Sequence, residues 1–177
     1  MQTEPLKYGH FYHIYNRGIN SCDLFRKPDN YEYFLAQNDK YISPIADTYA
    51  WVYPVKSFLR NFTGLMPNHF HLLIRVKENV VYKYSNADRS DDAVRFEEHK
   101  WETVDLSACE APDSVKKPHP HLHFSHLFNS YSRYFNKRYD RHGSLFEHPF
   151  RRKLIDHVKY LKHVTLYIHN NPVYPVK

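Results

Sequence analysis

The eight residues His69–Val76, HFHLLIRV, place the tightest limit on the fold, because they follow Met66, Pro67 and Asn68 and read as a strand. Side chains alternate along a strand, so His69 and His71 leave the same sheet face and can converge on one ion, while Phe70 points into the opposite layer. An earlier strand is read from HFYHIY at 10–15, broken by Asn16, Arg17 and Gly18. Pro28 opens a helix to Ile42 on the spacing of Tyr31, Phe34, Leu35 and Tyr41, and Pro44 marks its end. Thr48 to Val55 predicts another strand, which Pro54 confines to an edge, an end or a bulge.

From about 79 to 120 charge and proline cluster without a steady period, and the expectation is a mobile insertion or long surface loop. A helix resumes near Ser125 and runs until Gly143. Ser144 to Ile155 is strand-like around Pro149, and a last helix extends from His157, with Asp156 as N-cap, to about Asn170. Pro172 stops it. This order predicts one α+β domain over 1–177, a ferredoxin-like sandwich in which a central antiparallel sheet has helices packed on one face.

At 177 residues such a domain can bury a core without staples, and two cysteines do not make a disulfide framework. No apolar run approaches membrane-spanning length and the first residues lack an apolar signal core, so a soluble cytoplasmic protein without a membrane partner is expected. Lys and Arg outnumber Asp and Glu by 25 to 19, and the net charge of +6 suits a polyanionic partner.

In the last helix Tyr167 and Asn171 are four apart and share a face, one turn beyond His163. If this helix packs against the HFHLLIRV strand, Asn171 completes a His, His, amide-oxygen set while Tyr167 points at whatever the metal polarises. Mixed nitrogen and oxygen ligation with open positions suits Mg²⁺ or Mn²⁺ more than a closed structural zinc.

Three segments in order, FYHIYNRG at 11–18, MPNHFHLLI at 66–74 and YIHNNP at 167–172, together with GSLFEHPFRRKLI at 143–155, resemble the IS200-like tyrosine transposases, most of all their REP-associated subgroup. The segment from about Val52 to Gly64 is longer than the family pattern. The resemblance implies that His69 and His71 are the histidine, hydrophobic residue, histidine metal motif, Tyr167 the nucleophile and Asn171 the third ligand. The implied reaction is nicking and rejoining of single-stranded DNA through a 5′-phosphotyrosine link, on hairpins, by a monomer or homodimer. Candidate contacts to the DNA backbone are Arg17, Arg133, Arg138, and above all Arg151, Arg152 and Lys153.

Two other readings use the same residues: a hairpin-binding relative that no longer cuts, and a metal-dependent phosphodiesterase that uses water, with Tyr167 merely structural. His13, in the neighbouring strand, is left outside the ligand set as a histidine satisfied by a backbone group. His119, His121 and His123 are expected in a loop, apart from the site.

Overall fold

The computed structural model describes residues 5–50, 65–83, 102–103, 115–147 and 149–170. In chain order the strands are β1 (Phe11–Arg17), β2 (Ala46–Ala50), β3 (Leu65–Met66), β4 (His69–Val76), β5 (Val80–Lys83), β6 (Glu102–Thr103), β7 (Val115–Lys116) and β8 (Arg151–Ile155). The helices are α1 (Pro28–Tyr41), α2 (Pro120–Arg138) and α3 (Val158–Asn170).

The main sheet has the order β2-β4-β1-β8 and is antiparallel throughout, with β3 folding back on β4. This is the split βαβ arrangement expected for a ferredoxin-like fold. β4 is paired along both edges and covered on both faces, which is why its apolar run is nearly continuous. Phe70, Leu72, Ile74 and Val76 enter the larger core beneath α1 and α2, with Phe34, Phe124, Leu127 and Tyr131. Leu73 goes the other way, into a second core with Ala50, Ile155, Val164 and Ile168.

The layering therefore extends the expected one. α1 and α2 share one sheet face, while α3 lies on the other, the face that carries His69 and His71. Its apolar stripe of Leu161, Val164 and Ile168 is what buries Leu73 and Ile155. Local periodicity shows that a helix has such a stripe but not which sheet face receives it.

Several boundaries differ from expectation for local reasons. α2 begins at Pro120, because proline at the first helical position needs no N–H partner. It ends at Arg138, where the Tyr139 N–H closes on the Phe135 carbonyl. His121 and His123 thus lie on a helix, not in a loop, and being two apart they point in different directions. Among the described residues of the strand expected over Ser144 to Ile155, only Arg151–Ile155 forms a ladder, preceded by a bridge from Phe146 to Gly18; Pro149 lacks the N–H a longer ladder would need. β2 covers Ala46–Ala50, and the rest of the strand expected to Val55 lies outside the described residues. Within 79–120, β5 pairs with β6 and β7 in a small second sheet.

The end of the main sheet nearest the histidines is held by backbone bonds. Asn68 O accepts from the Gly18 N–H at 2.8 Å, and Pro67 O accepts from Leu24 and Phe25 at 2.6 and 2.9 Å. A Cβ on Gly18 would stand 2.0 Å from the Cys22 carbonyl oxygen, so the turn after β1 needs glycine there. Among the described residues no helix is long and apolar enough to cross a membrane.

Candidate active site

Cross-strand register decides which side chains meet. Tyr15 of β1 stands opposite His71 and Arg17 opposite His69, and directly opposed residues share a face. On the other side of β1, Arg151 and Lys153 of β8 stand opposite Tyr15 and His13. One face of the sheet thus presents His13, Tyr15, Arg17, His69, His71, Arg151 and Lys153.

The ring of Tyr167, reaching from α3, lies 5.3 Å from that of His71, with the planes at 86°. His71 in turn is 5.2 Å from His69 and stacked on Tyr15 and His13 at 5.7 and 5.0 Å. Helix spacing accounts for the placement of Tyr167: Val164 and Ile168 anchor the stripe, and position 167 lies one turn after Val164, at the edge of the buried surface. Tyr167 remains 43% exposed, so a large substrate can reach it.

The histidines are oriented from behind. The His69 Nδ1–H donates to Asn68 Oδ1 at 2.7 Å, which leaves the Nε2 lone pair of His69 available. His71 Nδ1 and His13 Nε2 are 2.8 Å apart in a buried hydrogen bond. His71 Nε2 is buried with no hydrogen-bond partner among the described residues. An unsatisfied buried nitrogen is costly, and a ligand bound to it removes the cost.

Burial pushes His71 from its usual 6.5 down to about 3, helped by the neighbouring His13 and His69. It pushes His13 down to about 4, with Lys153 adding to the effect, and lowers His69, with Arg17 adding. All three imidazoles are therefore neutral at neutral pH, the form that binds a metal ion. Two neutral imidazoles, one with an orphaned Nε2, fit a divalent cation. Among the described residues no three His, Cys, Asp or Glu side chains gather as a metal-binding group. Asn171, the amide donor expected from the sequence, lies outside the described residues.

The fold recurs in a transposase. The solved structure of a REP-associated tyrosine transposase bound to a REP hairpin matches 98% of this chain and 72% of its own, with a TM-score of 0.55 and 12% sequence identity. At that identity the likeness establishes the fold alone. No protein-family model and no curated protein matches the chain.

Of the residues singled out from sequence, Tyr167, His69, His71, Arg17, Arg151 and Lys153 come together on one face. Arg17 pairs with Glu147 at 4.0 Å, and the Lys153 ammonium lies 4.4 Å from the centre of the Tyr160 ring. Arg152 does not join them: strand alternation turns it to the opposite face, opposite Ile14 and 5.2 Å from the Phe150 ring. Arg133 and Arg138 lie on α2, also across the sheet, and Arg138 is bonded to Asp29.

The sequence reading does not single out Tyr15, and His13, expected to bond a neighbouring backbone group, instead bonds the His71 ring. The signal for both was present in β1, where the same period-2 alternation places His13, Tyr15 and Arg17 on one face.

Proposed function

We propose that this protein nicks and rejoins single-stranded DNA at hairpins as a metal-dependent tyrosine transposase. The observation that carries the reading is the approach of the Tyr167 ring to His71 on the face where His71 Nε2 has no partner. The shared fold with a hairpin-bound transposase supports it.

On this reading His69 and His71, with Asn171, hold Mg²⁺ or Mn²⁺. The ion, when bound, orients the scissile phosphate and stabilises charge developing on it. The Tyr167 oxygen, having given its proton to solvent, attacks phosphorus; the bond to the 3′-oxygen breaks and that oxygen takes up a proton. The product is a 5′-phosphotyrosine and a free 3′-OH, and attack by a second 3′-OH reverses the step, conserving the phosphodiester without ATP. Arg151 and Lys153, on the same face, hold backbone phosphates, and Arg17 closes the end of the site nearest His69.

The test is incubation with a labelled single-stranded hairpin and Mg²⁺ or Mn²⁺, read on a denaturing gel. A slow-moving covalent band that disappears in Tyr167→Phe is expected. Cleavage without a covalent band would mean that water is the nucleophile; hairpin binding without cleavage in either metal would mean a binding protein.

A further inference from the structure

His13 has no part in the metal set just described, yet it is 8% exposed and its ring is hydrogen-bonded to that of His71. We propose that His13 is a positioning residue that fixes the tautomer and ring plane of His71, so that the His71 Nε2 lone pair faces the metal position. This rests on the metal site of the proposed function.

The bond between His13 Nε2 and His71 Nδ1 contains one hydrogen, and its owner decides what His71 can do. If His13 donates, His71 carries its own proton on Nε2 and has no lone pair to offer there. If His71 donates, its Nε2 lone pair is free, and that nitrogen is the atom without a partner. His69 shows the same construction, with Nδ1 tied to Asn68 Oδ1 and Nε2 left open. Both histidines are thus held through Nδ1 by a neighbour, and outer partners of this kind set the ligand's tautomer and orientation.

His13 also restricts rotation. Its ring stacks on His71 at 5.0 Å with the planes 30° apart, and Tyr15 stacks on His71 at 5.7 Å and lies tilted against His13 at 5.0 Å. The register explains why this position falls to His13: its Cα partner is Leu73, two residues along β4 from His71, so it reaches His71 diagonally on the same face. A longer side chain spans that diagonal where a serine or alanine would not.

The experiment compares the wild-type protein with His13→Gln, which keeps an acceptor, and His13→Phe, which keeps a ring but no acceptor. Long-range ¹⁵N NMR of the metal-free protein reads the His71 tautomer, and titration calorimetry with Mn²⁺ alone reads affinity. Expected are Nδ1–H His71 in the wild type, Mn²⁺ affinity weakened roughly 10–100-fold in His13→Phe, and substantial recovery in His13→Gln. A wild-type His71 protonated on Nε2 would overturn the proposal even if neither variant folds, as would unchanged Mn²⁺ affinity in His13→Phe. If the wild type binds no Mn²⁺ at all, the metal reading fails, while the His71 tautomer still decides for or against His13.

Discussion

Acid should destabilise the metal-free protein through the buried histidine pair. His13 and His71 are each 8% exposed, and their affinity for protons is pushed down from the usual 6.5 to about 4 and about 3. The groups facing them, Arg17 and Tyr15 on β1, His69 on β4, Arg151 and Lys153 on β8 and Tyr167 on α3, include cations that oppose a further positive charge. Above about pH 7.5 neither the folded nor the unfolded chain protonates these rings appreciably, and stability does not depend on them. As pH falls from there toward 4 the unfolded chain binds protons that the folded chain refuses, so stability falls with pH, by up to about 1.4 kcal/mol per pH unit for each ring. Between about pH 7 and about pH 4.5 this amounts to roughly 2 kcal/mol for one ring.

The charge left by the first proton opposes entry of the second into the folded pair, as the neighbouring rings already lower the proton affinity of His71, so the pair should cost between one and two such amounts, about 2–4 kcal/mol. That is a large share of the ~5–15 kcal/mol that holds an ordinary domain together. Below about pH 3 the folded protein protonates as well, and the loss levels off. Urea unfolding followed by circular dichroism in a chelator, for the wild type and for a His13→Phe/His71→Leu double variant, measures the difference. Both curves contain the contribution of buried His123, whose proton affinity is also lowered, so it cancels in the comparison. The reasoning is refuted if the double variant loses as much stability over this range as the wild type.

Charge placement predicts a directional effect on DNA. Arg151→Ala or Lys153→Ala should each lower the salt dependence of hairpin binding by about one unit of slope, whereas Arg133→Ala, on the far side of the sheet, should leave it unchanged; equal effects would contradict the face assignment. In the core, Phe70→Ala should cost about 3–5 kcal/mol in denaturant unfolding, since Phe70 is fully buried with its ring 5.0 Å from Phe34 and 5.7 Å from Phe128. A cost under about 1 kcal/mol would mean that the site collapses around the missing ring. Tyr131→Phe removes the hydroxyl that donates to Leu24 O at 2.5 Å, and an unfolding loss of about 1 kcal/mol is expected; no loss would show that water replaces the phenol.

What was legible in the sequence was whatever depends on period and chain order. The alternation in HFHLLIRV puts His69 and His71 on one face, and the strand and helix order points to the ferredoxin-like sheet. The spacing in the last helix puts Tyr167 at the margin of an apolar stripe. The same alternation, applied to RRK at 151–153, separates Arg152 from Arg151 and Lys153, though a run of like charges invites treating them as one patch.

The tertiary structure alone decided which sheet face receives α3, and so that Tyr167 reaches His71 and not the opposite layer. It also decided that His13, 58 positions away in sequence, holds the ring of His71. The physical reason is that local periodicity specifies which side chains share a face of their own strand or helix. Pairing between elements is set by register and by burial of both cores at once, and a shift of one residue in either ladder would turn every one of these contacts to the other side.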